Sequence, residues 1–184
     1  MRRGLSIFLA ILMAAFLMPC AKASAEGALV ITIASHTAGQ LQAEVDARKG
    51  AGAYTAITGL IVAGGTLNNT DRVFLYESGM SGHLETIDWS ATSLDYSGEP
   101  LSGYYMAAEP DVLPEYAFGN WYKLALAKLP DGITKIARWA FNNCPELTSV
   151  TLPSALRAID YDVFCNSGKL TSISLPADPM ECIC

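Results

Sequence analysis

One phrase recurs along the chain: apolar-x-x-apolar-x-apolar. It falls at Ile57, Leu60 and Val62; at Leu84, Ile87 and Trp89; at Leu124, Ala127 and Leu129; at Leu147, Val150 and Leu152; and at Leu170, Ile173 and Leu175. In the second half the spacing is regular, because residues 129–151 (LPDGITKIARWAFNNCPELTSVT) and 152–174 (LPSALRAIDYDVFCNSGKLTSIS) match position for position. Leu129 pairs with Leu152, Ile136 with Ile159, Phe141 with Phe164, Asn143 with Asn166 and Val150 with Ile173. A looser copy over 106–128 places Leu113, Ala117, Phe118, Asn120, Leu124 and Ala127 in the corresponding positions. A fixed period of this length is the signature of stacked structural units, none of which buries its apolar face alone. The pattern predicts an α/β solenoid of about five rungs, each with a short parallel strand turning alternate side chains into a common core.

Pro130, Pro153 and Pro176 close the strands, where proline is tolerated because it cannot donate a ladder hydrogen bond. The intervening stretches, Ile136 to Phe141 and Ile159 to Phe164, read as a tight or single-turn helical return, with Asn142, Asn143 and Asn166 supplying turn chemistry. Phe118, Phe141 and Phe164 then stack as a core ladder, since their spacing follows the repeat. Upstream, Leu29–Ile33 reads as a strand, and Leu41 and Val45 place one apolar stripe on a short helix over 38–48. Together these form an N-terminal strand/helix cap over 26–56. Irregular leading rungs occupy 57–112, regular repeats 113–176, and an incomplete tail 177–184. Residues 90–112 interrupt the spacing as an insertion loop in which Tyr96, Tyr104 and Tyr105 offer contact surface; packing over a sheet edge accounts for them equally well. The chain stops soon after Pro176, which leaves either a bare last rung or, the favoured reading, a truncated frame.

Residues 1–25 stand apart. Arg2 and Arg3 precede an apolar stretch from Leu5 to Met18, and small-x-small sites end at Ala23 and Ala25, the layout of a signal peptide. As a helix that stretch spans roughly 21 Å, short of the roughly 30 Å hydrocarbon core, so no transmembrane span is expected after its removal. Cleavage after Ala25 is preferred to cleavage after Ala23. Lipid anchoring through Cys20 is a less favoured alternative, because Leu17-Met18-Pro19 makes a poor approach to a lipidation site. The product is read as secreted or held at the cell surface.

Composition narrows the function. Of 184 residues, 51% are hydrophobic and 16% charged, which excludes a disordered chain. The net charge of −6 becomes −9 once Arg2, Arg3 and Lys22 leave with the leader, so nucleic acid is not an expected partner. Export permits disulfides among Cys144, Cys165, Cys182 and Cys184 without fixing any connectivity. Buried free thiols are preferred for Cys144 and Cys165, and a frayed end for Cys182-Ile183-Cys184.

No grouping of side chains points to catalysis, a metal or a cofactor. His36 and His83 lie in different segments without a ligand-spaced partner, and read as solvated or locally hydrogen-bonded. Gly79-Met80-Ser81-Gly82-His83 lacks the last glycine of a nucleophile elbow. Gly64-Gly65 reads as a turn, not a phosphate cradle, and Asn68-Asn69-Thr70 as an Asn-rich turn rather than a glycosylated sequon. Asp160 and Asp162 read as a solvated acidic edge, since two oxygens fall short of a calcium site. A secreted hydrolase built on His83 or the paired aspartates is a remote alternative.

The phrase LPDGITKIARWAFNNCPELTSVTLP resembles the BspA-like leucine-rich repeats of bacterial secreted and surface proteins. GLIVAGGTLNNTDRVFLYESGMSGHLETIDWS is similar to the region that precedes the regular repeats in that family. The resemblance implies a non-enzymatic module that binds a protein or glycan in adhesion or surface recognition. Alternatively, the repeats are a structural spacer or targeting region of a longer surface protein. If core positions point inward, the outward stripe comprises Ala125, Leu126, Lys128, Thr148, Ser149, Thr151, Thr171, Ser172 and Ser174, a small, hydroxyl-rich candidate face.

Overall fold

The computed structural model describes residues 28–95, 97 and 111–176, and the backbone of 181–182. The leader with Cys20, and Cys184 at the other end, lie outside the described residues. The chain begins with β1 (Leu29–Ile33), α1 (Leu41–Lys49), β2 (Ile57–Val62), β3 (Thr66–Leu67) and α2 (Asn69–Glu77). It continues through β4 (Thr86–Asp88), β5 (Ser93–Leu94), β6 (Val112–Leu113), β7 (Leu126–Lys128) and β8 (Lys135–Ile136). β9 (Ser149–Thr151), β10 (Ala158–Ile159) and β11 (Glu181–Cys182) complete it.

The pairing is parallel throughout, as an α/β repeat fold requires. The main sheet has the order β1-β2-β4-β7-β9, and its register aligns Ile31, Leu60, Ile87, Ala127 and Val150 in one row. All five are 6% exposed or less. The repeated phrase therefore does what its period implies: its middle apolar residue stacks on its counterpart in the next strand. Its first residue does likewise, with Leu84, Leu124 and Leu147 fully buried.

Leu29–Ile33, read as the strand of an N-terminal cap, is the end strand of the main sheet, with Ile31 and Ile33 inward, Val30 and Thr32 outward and α1 packed beside it. The last recurring phrase differs from the sequence reading. Residues 171–176 carry no strand, Leu170 and Ile173 are half-buried, and Leu175 is 56% exposed. Five strands stand in the sheet, but they are not the five phrases.

The returns are not helical turns. Lys135–Ile136 and Ala158–Ile159 form short strands in a second parallel ladder, β6-β8-β10-β11, and each is followed by a run of tight turns. Helix is blocked there because each repeat visits the left-handed region twice. The first visit is at Tyr116, Trp139 and Asp162, the second at Asn120, Asn143 and Asn166, with φ between 53° and 64°. Asparagine tolerates that region better than other side-chain-bearing residues. Asn143 Nδ2 also donates to Asn120 Oδ1 at 2.8 Å, linking one turn to the next.

Inside the turns lies the expected phenylalanine ladder. Phe118 and Phe141 stack with centroids 5.0 Å apart and planes 25° apart; Phe141 and Phe164 do so at 5.5 Å and 18°. A hydrogen bond runs beside it in each repeat. Cys144 Sγ donates to Phe118 O at 3.1 Å, and Ser167 Oγ, one period later, donates to Phe141 O at 2.8 Å. Cys144 is thus a buried free thiol, as expected, and burial pushes its pKa up to about 12. Cys165, expected to be buried, is free but exposed, because it follows the ladder phenylalanine and points away from the stack.

At the other end, the segment read as an Asn-rich turn caps a helix. The Asn68 side chain accepts from Asp71 N, and Asp71 Oδ2 accepts from Asn68 N, a reciprocal capping box opening α2.

Candidate functional site

Alternation along the sheet sets the outward face. Two rows run across the five strands: Val30, Gly59, Thr86, Leu126 and Ser149 in one, Thr32, Ile61, Asp88, Lys128 and Thr151 in the other. Leu126, Lys128, Ser149 and Thr151 therefore lie side by side on that face. Beyond β9, Thr148, Ser149, Thr151, Ser172 and Ser174 surround one open hollow, floored by Val150, Leu152 and Ile173, of about 660 Å³ including the solvent at its mouth. Thr171 is exposed but lies outside that lining, and Ala125 is half-buried. Tyr96, Tyr104 and Tyr105 lie outside the described residues. The described ends of their loop are ordered: β5 pairs with β3 and β6 with β8.

Two candidate side chains are less free than the sequence suggested. Lys128 Nζ donates to Asp88 Oδ2 across the strands at 2.8 Å, and Asp88 also accepts from Ser90 N and Oγ. Burial works to raise the Asp88 pKa, but these hydrogen bonds and the lysine charge outweigh it and hold the carboxyl below its usual range. Lys128 is thus half of a cross-strand pair rather than a lone cation. Thr148 Oγ1 donates to Ala125 O at 3.0 Å, which leaves its lone pairs as the part that faces outward.

The sequence reading missed the upstream half of the face: Val30, Thr32, Ile61, Thr86 and Asp88. The signal was available, since the phrase Leu84-x-x-Ile87-x-Trp89 puts Thr86 and Asp88 outward by the alternation used for Ser149 and Thr151. This half is more apolar, with Val30 52% exposed beside Gly59. A Cβ at Gly59 would stand 3.0 Å from Val30 Cγ2, so glycine lets the valine lie across the neighbouring strand.

His36, His83 and Asp160 have structural partners, while Asp162 is exposed. His36, expected to be solvated or locally bonded, is 4% exposed, with Nδ1 3.0 Å from Glu44 Oε2 and Nε2 2.9 Å from Asp71 Oδ2. The partners come from α1 and α2, too far along the chain for a local pattern to reveal. Asp71 also accepts from the N–H groups of Gly39, Leu41 and Asn68, so the cluster ties both helices to the loop after β1. The loop closes through Gly65, whose φ of +95° and approach to His36 O, 1.9 Å from where a Cβ would sit, admit only glycine. His83 bonds locally, Nδ1 lying 3.1 Å from Gly79 O. Asp160, read as solvated, is half-buried and pairs with Lys135 at 3.0 Å. Among the described residues no group of three or more His, Cys, Asp or Glu side chains is placed to hold a metal ion.

A stacked α/β repeat with regular spacing, asparagine turns and a phenylalanine ladder describes the second half of the chain. The family model for the BspA type Leucine rich repeat region matches residues 108–183, in six copies. This part of the chain is similar to a BspA-type leucine-rich repeat region. No curated protein matches the chain. The match to a leucine-rich repeat family points to a repeat-based interaction module, and the matched residues include the hollow beside β9 and two of the five strands of the face, β7 and β9. Among the described residues no helix is long and apolar enough to cross a membrane.

Proposed function

We propose that this chain is an exported, non-enzymatic binding module. Its leucine-rich repeats stack as a solenoid of about five rungs that presents one surface to a protein or glycan at or outside the cell surface. The observation that supports this most directly is the convergence of Thr148, Ser149, Thr151, Ser172 and Ser174 around one open hollow at the end of a continuous outward sheet face. Hydroxyls both donate and accept, and each contact contributes modestly, so such a surface gains affinity by extension rather than from one strong group. The leader over 1–25 would deliver the chain out of the cytosol, with Cys20 lipidation as the lesser route to retention.

The test is a Thr148/Thr151/Thr171 triple-alanine variant, presented beside wild type to arrayed glycans and immobilised extracellular proteins. These positions are exposed, so folding should survive, and a normal thermal melt checks it. Loss of the wild-type signal supports the reading. Undiminished binding refutes the face, and a wild-type chain that binds nothing favours a spacer role.

A further inference from the structure

We infer that the outer edge of β9 receives an extended polypeptide segment, which joins the main sheet as a further parallel strand. The inference rests on the reading of the hydroxyl-lined hollow as a recognition surface, and it names the partner's chemistry. Parallel ladders alternate, each residue directing both its backbone groups to one side. Ser149 and Thr151 face β7: Ser149 N donates to Ala125 O at 3.2 Å, and Thr151 O accepts from Leu129 N at 3.3 Å. Val150 between them therefore directs its N–H and C=O to the opposite, outer edge.

That edge should by the repeat be filled by residues 171–175, with Ser172 O on Val150 N and Ser174 N on Val150 O. Among the described residues no backbone hydrogen bond joins the two segments. The rung is nevertheless fixed on either side of the gap. Phe141 N donates to Val163 O at 2.9 Å, Asn143 N donates to Cys165 O at 2.8 Å, and β10 pairs with β11. Only the segment opposite Val150 makes no backbone hydrogen bond to it: Ser172 and Ser174 line the hollow while Leu170 and Ile173 stay packed against the core, so an incoming strand displaces residues 171–175 from beside β9.

Val150 lines the open hollow, so its outward N–H and C=O are available to an incoming strand, which would replace solvent contacts with ladder hydrogen bonds. The hollow's lining favours a peptide over a sugar. It holds small hydroxyls and aliphatic groups, with neither an aromatic face for a pyranose ring to stack on nor a charge to orient one. Exposed sheet edges are commonly guarded by lysine, proline or bulges, and Thr148 to Thr151 carries none of them. Backbone pairing supplies affinity in this mode, and alternate side chains supply register.

Amide hydrogen exchange of the full chain tests this, with a synthetic peptide of the chain's own sequence 170–176, LTSISLP, as the probe. In the free protein Val150 N–H should exchange faster, by roughly tenfold or more, than Ala127 N–H in the β7–β9 ladder, and saturating peptide should remove most of that difference. A peptide N-methylated at the position of Ser174 loses the donor aimed at Val150 O and should not protect. One N-methylated at the position of Ile173, whose N–H faces away, should. Equal protection of Val150 and Ala127 in the free protein means that residues 171–175 fill the edge in solution, and overturns the inference. An exposed Val150 that the peptide fails to protect overturns it too, as do two N-methyl peptides that act alike. Protection that grows with protein concentration alone assigns the edge to a second copy and likewise overturns it. None of these outcomes bears on the triple-alanine test, which reads side chains on the face.

Discussion

Replacing Phe141 by alanine should be among the most damaging single changes in the repeat region. The ring is fully buried and stacked on both faces, 5.0 Å from Phe118 and 5.5 Å from Phe164. Deleting a buried phenyl group costs its transfer free energy plus that of the cavity left behind, together about 3 to 5 kcal/mol. The upper half of that range is expected, because the neighbours cannot collapse into the void. Phe118 is held by Trp121 and Trp89 as well, at 5.0 and 5.3 Å, and the backbone on each side is pinned by turn-to-turn hydrogen bonds. Phe164 provides the internal control: it occupies the same position one repeat on but is only half-buried, with one ring partner among the described residues, so Phe164→Ala should cost about half as much. Urea melts followed by far-UV circular dichroism at matched m-values give both numbers. A loss below about 1 kcal/mol for Phe141→Ala, or no difference between the two variants, would mean that the ladder is not the core of the repeats.

Four further outcomes are expected. Iodoacetamide at pH 8 followed by peptide mass mapping should label the exposed Cys165 and spare Cys144, whose thiol burial has pushed up to about 12; equal labelling would show that the turn opens readily. Asp88 has a folded-state pKa below its unfolded one, so the stability its carboxylate contributes is present above about pH 4 and is lost as the pH falls through the folded value. Melts of wild type and Asp88→Asn should accordingly differ at neutral pH and converge in acid, and a constant offset would refute the cross-strand pairing with Lys128. His36→Ala should cost about 3 kcal/mol, since it strips a partner from Asp71, which is 1% exposed; a change under about 0.5 kcal/mol in a thermal melt would mean that the cluster does not tie the helices. Gly65→Ala should abolish soluble expression or lower Tm far more than Gly82→Ala, where nothing stands within 4 Å of the added methyl group.

What could be read from the sequence follows from how far each contact reaches. Strand stacking, the phenylalanine ladder and the outward hydroxyls were legible because their partners lie one period away, so a side chain and its neighbour appear as two copies of one phrase. Contacts without that symmetry left no trace. His36 meets Asp71 from a distant segment of the chain. The second ladder was hidden for a different reason: Lys135–Ile136 and Ala158–Ile159 are too short for period-two alternation to register, and only turns that force φ positive at Trp139 and Asp162 exclude a helix there.

The same distinction bears on the proposed recognition surface. Inside the regular stack most core positions have a repeat mate, and adjoining strands of the main sheet pair with one another. Departures from the repeat are therefore the places where the chain has something left to offer. The cross-strand pair Asp88–Lys128 spans the junction between Leu84 and Leu124, where the insertion loop breaks the regular spacing. The hollow beside Val150 lies where the register holds in sequence but not in hydrogen bonding. The first is self-satisfied, charge against charge, and has little to give a partner. The second leaves the outward N–H and C=O of Val150 without a backbone partner amid hydroxyls, which is why the inferred recognition is placed at the β9 edge rather than at the charged pair on the face.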